Sequence, residues 1–179
     1  MRWSSKKSAP PRPYFTARRI ATLSLLLSLS LIFGYVERLF PLDAAIPGIK
    51  LGLGNLAVVL ALYLLDAPSA ALLSLLRVGL GGLLFGNIAS LAFSFSGAVL
   101  SLICMLALKR TDWFSLAGVS MAGGVCHNVG QLGMAAFFTQ VPQVWYYLPV
   151  LMLTGLATGL LNGLIGLGIQ KRLSRITLS

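Results

Sequence analysis

Acidic residues are scarce in this chain: four Asp and Glu stand against 14 Lys and Arg among 179 residues. So few carboxylates, scattered along the sequence, cannot form the paired aspartate clusters that hold magnesium on a diphosphate. Histidine is scarcer still. The single His127 has no carboxylate or cysteine beside it with which to bind zinc or run a hydrolysis. The two cysteines, Cys104 and Cys126, lie inside apolar runs and have neither metal-ligand nor disulfide spacing, so they read as small hydrophobes. No Gly-x-x-x-x-Gly-Lys-Ser/Thr loop is present, which excludes nucleotide hydrolysis by that route. These gaps argue against an enzyme, and neither a cofactor nor a metal is expected.

What is present is hydrocarbon. The chain is 57% hydrophobic with a mean hydropathy of +0.87, outside the range of soluble domains, and its apolar runs repeat about six times with short connectors. The net charge of +10 could suggest a nucleic-acid partner, but the basic residues lie where membrane topology places them rather than on one solvated face. Arg2, Lys6, Lys7, Arg12, Arg18 and Arg19 precede the first apolar run, Lys109 and Arg110 separate the fourth from the fifth, and Lys171, Arg172 and Arg175 follow the last. With six helices these fall on one side, and the positive-inside rule puts both termini in the cytoplasm. The basic start followed by an apolar run imitates a signal peptide, yet no small-residue cleavage pattern follows Phe33, so the run is expected to stay as the first helix.

Along the chain, residues 1–16 are charged and proline-rich and read as a flexible basic cytoplasmic tail; 17–170 form an all-α domain of six transmembrane helices; 171–179 form a second basic cytoplasmic tail. The expected helices run from about Thr16 to Val36, Ile49 to Leu65, Ser69 to Leu84, Ile88 to Leu108, Phe114 to Phe138 and Leu148 to Ile169. An outer loop with Pro41 and Pro47 follows the first, and Trp145, Tyr146 and Tyr147 mark an interfacial belt before the last. Gly155, Gly159 and Gly163, spaced by four, give the last helix a face that lets a neighbour approach closely.

Polar residues inside these runs each need a reason, because hydrocarbon offers no compensating water. Arg77 is the costliest, at about 2.5 to 3.5 kcal/mol on the insertion scale near mid-bilayer. His127 and Gln131 are four apart and share a helix face, with Asn128 about 100° round. The stretch Pro47-Gly48-Ile49-Lys50-Leu51-Gly52-Leu53-Gly54-Asn55 sets a lysine and an asparagine among glycines at a helix start. Glu37 is the only acid well placed to neutralise Lys50 or Arg77, and one acid cannot neutralise two cations. Two readings stay open: internal pairing and snorkelling, or an anionic ligand gripped by the two-pronged arginine.

These residues resemble a bacterial membrane family called either heptaprenyl diphosphate synthase component I or Gx transporter. The resemblance is carried by residues 47–55 as quoted, by Leu76-Arg77-Val78, Phe85-Gly86, Ser96-Gly97-Ala98 through Ser101, Gly118-Val119-Ser120, His127-Asn128-Val129-Gly130-Gln131, Tyr147-Leu148-Pro149 and Thr154-Gly155, across roughly residues 18 to 170. That family looks like the substrate-binding S components of energy-coupling factor (ECF) transporters. The resemblance implies a six-helix bundle in the bacterial cytoplasmic membrane that captures a small molecule from outside and works with a transmembrane coupling subunit and ATPases. Together with the reading of the intramembrane polar residues, this gives an expected substrate-binding set of Lys50, Asn55, Arg77, His127, Asn128, Gln131, Glu37 and Tyr147, for a small anionic or amphipathic solute. The synthase name implies prenyl diphosphate chemistry, but the chain lacks the aspartate-rich motifs of a prenyl synthase, so the alternative is a non-catalytic membrane accessory subunit.

Overall fold

The computed structural model describes residues 16–39 and 52–178. Among them there is no strand, and six helices run in alternating directions: α1 Ala17–Leu39, α2 Leu53–Leu64, α3 Ala67–Phe85, α4 Ile88–Arg110, α5 Leu116–Thr139 and α6 Leu148–Leu178, with a short 3-10 turn over Pro142–Tyr147 before α6. Local chemistry sets most starts. The carboxylate of Asp66 accepts from the Ser69 amide at the head of α3, where Pro68 fits the first turn, and Asn87 and Ser115 open α4 and α5 in the same way. α2 begins differently. Gly52 holds φ 65°, a left-handed conformation that favours glycine, and supplies no side-chain cap.

Four of the helical segments, Ala17–Glu37, Ala67–Phe85, Ile88–Arg110 and Pro142–Leu173, are long and apolar enough to cross a membrane. The chain is a multi-pass membrane protein. Its outer surface agrees, with Leu83, Ile88 and Leu153 more than half exposed to what would be lipid. α2 is shorter than its sequence suggests: 12 residues span about 18 Å, against a hydrocarbon core of about 30 Å. Eight of those 12 are buried, so α2 is wrapped by protein. α5 is long, at 24 residues, but carries His127, Asn128, Gln131 and five glycines.

α5 sits between α4 and α6, and small residues make both seams. A Cβ added at Gly159 would lie 2.6 Å from the Met121 Cα, and one at Gly163 2.6 Å from the Ala117 Cα, so the α6 glycine stripe packs backbone against backbone. On the other side a Cβ at Gly130 would meet the Ser96 carbonyl at 2.8 Å, and the Ser96 hydroxyl donates to the Gly130 carbonyl at the same distance. α1 packs on α2 and α3, and among its described side chains Leu26 and Ser30 are the buried ones. The apolar core gathers α2 residues Leu56 to Leu62 with Ala70, Leu73, Met105, Leu116 and Val119.

Candidate functional site

The two ends of the bundle use polar residues differently. At the end where α1 starts, the Arg19 guanidinium bonds the Asp66 carboxylate and donates from Nη2 to the Ser69 hydroxyl at 2.7 Å, tying α1 to the α2–α3 turn. Burial pushes the Asp66 carboxyl up, but hydrogen bonds from Ser69 and Arg19 and the arginine charge outweigh it and bring it down to about 2. Nearby, the Lys109 ammonium donates to the Leu62 carbonyl at the C-terminal end of α2 and lies 4.7 Å from the Tyr63 ring centre.

At the opposite end the helices part around a cavity of about 550 Å³ to which all six contribute. It reaches from Glu37 and Gly52 at the helix ends down to Ser120 and Met105, and along α5 from Gln131 to Ser120 it is about 16 Å deep. The cavity brings together Glu37, Asn55, Arg77, His127, Asn128 and Gln131. Tyr147 is not among the lining residues; it stands half-exposed at the junction of the 3-10 turn and α6. Lys50 and the loop Pro41 to Gly48 lie outside the described residues.

The start of α2 is the fixed rim of this cavity. Glu37 of α1 accepts from the Leu53 amide at 2.5 Å and so takes the place of the cap that Gly52 cannot provide. Asn162 of α6 donates to the Gly52 carbonyl at 3.0 Å, and Ser30 donates to the Gly54 carbonyl at 3.0 Å. Gly54 leaves room for Arg77, since a Cβ there would stand 2.6 Å from the Arg77 Nη1. Arg77 in turn donates from Nη2 to the Asn55 Oδ1 at 2.8 Å, while its buried Nε has no hydrogen-bond partner among the described residues. Glu37 is the acid whose charge Arg77 feels. Its bond to the Leu53 amide divides that carboxylate between two tasks.

On the far wall, His127 and Gln131 pack against Gly97 of α4; a Cβ at that glycine would fall 3.0 Å from the His127 Cε1 and 2.8 Å from the Gln131 Cγ. Asn128 is turned towards α6, donating to the Leu151 carbonyl at 2.7 Å and the Thr154 hydroxyl at 3.4 Å. It holds α5 to α6 as well as lining the cavity. Residues outside the sequence-derived set also line it: Asn162, and the hydroxyls of Ser30, Ser90, Ser94, Ser101, Ser120 and Thr158. Asn162 is detectable as an amide in an otherwise apolar run. The serines are not, because a helical serine can satisfy itself on its own backbone, as Ser28 does with the Ser24 carbonyl.

The result is a deep, polar-walled space with a guanidinium, a carboxylate, an imidazole and four amides, interrupted by apolar patches at Leu31, Val59, Val78 and Phe85. No group of three or more His, Cys, Asp and Glu residues able to hold a metal ion occurs among the described residues. Such a lining can hydrogen-bond and orient a ligand.

The protein family described as heptaprenyl diphosphate synthase component I matches residues 26–168. No curated protein and no solved structure matches the chain. The match covers both walls of the cavity and all six helices, and the chain belongs to the heptaprenyl diphosphate synthase component I family.

Proposed function

We propose that this protein is a substrate-binding membrane subunit, resembling the S components of ECF transporters, that captures a small anionic or amphipathic solute from the outer side for uptake. The observation that carries this reading is Arg77, a cation facing a 550 Å³ cavity with an amide as its hydrogen-bonding partner and the nearby carboxylate shared with a backbone amide. A guanidinium so placed favours a carboxylate or phosphate. His127 and Gln131 on the facing wall would orient the ligand, with Asn55 positioning the arginine.

In this reading all six helices span the bacterial cytoplasmic membrane, α2 and α5 being shielded by their neighbours, and both termini are cytoplasmic. The basic-residue distribution supports that orientation, which turns the cavity outwards. The chain carries out no chemistry of its own; a transmembrane coupling subunit and its ATPases would drive release. Lys50, which lies outside the described residues, would be a second cation for the same solute. The test is binding and uptake of labelled small anions by the full chain in lipid: Arg77→Ala and His127→Ala should each reduce both, and uptake unchanged by either would sink the assignment.

The family match favours a second reading, a non-catalytic accessory subunit of a prenyl diphosphate synthase. It predicts co-purification with a soluble synthase and dependence of product on this chain. Co-purification with ATPase subunits instead would exclude it.

A further inference from the structure

A second space lies on the α1–α3 seam. It is a mainly apolar groove of about 310 Å³, lined by Ile20, Leu23, Ser24 and Leu27 of α1 and by Leu72, Leu73 and Leu76 of α3, and it opens on the lipid-facing surface of the bundle where Ile20 and Leu76 are half-exposed. Leu27 is one helical turn from Leu31, and Leu73 one turn from Arg77; Leu31 and Arg77 line the polar cavity. The groove therefore stops where the cavity starts. Gly34 of α1 and Gly81 of α3 line the cavity and a Cβ at either would meet nothing within 4 Å, whereas nearer the helix ends the Tyr35 and Phe85 rings meet across the same two helices with centroids 5.3 Å apart, so a way between α1 and α3 would lie below that ring pair.

We propose that the two spaces take one molecule: an amphipathic anion whose head is held at Arg77 and whose alkyl chain lies in the α1–α3 groove, reaching the site sideways from the lipid. The inference rests on the solute-binding reading and adds to it the class of solute and its route. Lipid tails are as apolar as leucine, so the groove contributes selection of shape rather than affinity, and the grip resides at the arginine. From Ile20 to Leu27 the groove runs about 10 Å, along which an extended chain can lie parallel to α1.

The experiment uses the full chain in lipid nanodiscs with a dodecyl phosphate carrying a photoreactive diazirine at its chain end. The expected crosslinks fall within residues 20–27 and 72–76 and drop about tenfold, the equivalent of about 1.4 kcal/mol, in Arg77→Gln and again in Ser24→Trp, which plugs the groove from α1. Leu76→Trp plugs it from α3, and thermal unfolding of each variant separates loss of site from loss of fold. Unlabelled dodecyl phosphate, concentrated in the bilayer beside the groove, should compete at total concentrations where inorganic phosphate does not. Label spread evenly over lipid-facing residues such as Leu83 and Leu153 and indifferent to Arg77→Gln would overturn the proposal, the probe being merely dissolved in the bilayer. Competition by inorganic phosphate, sensitive to Arg77→Gln but with the groove unlabelled, would also overturn it while leaving a water-borne anion site intact.

Discussion

Two cations on neighbouring helices meet opposite fates. Arg19, at the basic end, has a carboxylate and a hydroxyl within bonding distance, and the pair welds α1 to the head of α3. Arg77, at the other end, is answered by an amide, and the helices around it stand apart instead of closing. At the basic end charge completes helix ends and stabilises the fold. At the cavity end a half-buried guanidinium carries a desolvation cost that an apolar side chain in its place would not. The difference teaches where stability and function are divided in this bundle.

The sharpest way to break that comparison is Arg77→Met. Charged hydrogen bonds contribute about 1.5 to 3 kcal/mol, so ligand binding should weaken by roughly one to two orders of magnitude in a nanodisc binding assay, while the thermal midpoint stays level or rises. A large drop in the midpoint would make Arg77 a structural residue like Arg19. Next in size is Gly159→Ala, which forces a methyl onto the Met121 backbone and should cost about 1 to 3 kcal/mol of stability, read by thermal unfolding in detergent. Gly81→Ala, facing open space, should cost far less.

Asp66→Ala removes a helix cap together with the Arg19 pair and should destabilise by about 0.5 to 2 kcal/mol. The effect has a defined pH dependence. The folded carboxyl sits at about 2, below its ordinary 3.8, so its stabilising contribution is present in full above about pH 4 and disappears as pH falls through about 2. The gap between wild type and Asp66→Asn should thus be flat from about pH 5 to pH 8 and close on acidification. Smallest is Lys109→Ala, where loss of the charge at the α2 C-terminal end should cost about 0.3 to 1 kcal/mol.

Much of this was legible in the sequence for physical reasons. Hydropathy located the helices to within a few residues of their starts, while the capping by Asp66, Asn87 and Ser115 that fixes the starts of α3, α4 and α5 came from the structure. The period of 3.6 residues put His127 and Gln131 on one face, and the four-residue glycine spacing in α6 announced a close helix contact, which the structure makes with α5. The start of α2 was not legible. It depends on Glu37 standing in as a cap and on Asn162 reaching Gly52 from 110 residues away, and no local pattern encodes either. Nor could spacing reveal that α1 runs to Leu39 and α6 to Leu178, since basic and polar side chains at a helix end sustain a helix that apolar counting stops short. The serine lining was hidden for a related reason: a hydroxyl in an apolar helix looks the same whether it faces a cavity or its own backbone.

The central claim is that Arg77 faces a ligand and not merely a neighbour. Native mass spectrometry of the full chain extracted from its own membrane tests it most directly, comparing wild type with Arg77→Met. The account predicts a retained small anion on the wild type that is absent from the variant, with both proteins folded. The same mass of bare polypeptide in both, or a bound molecule indifferent to the substitution, would contradict it.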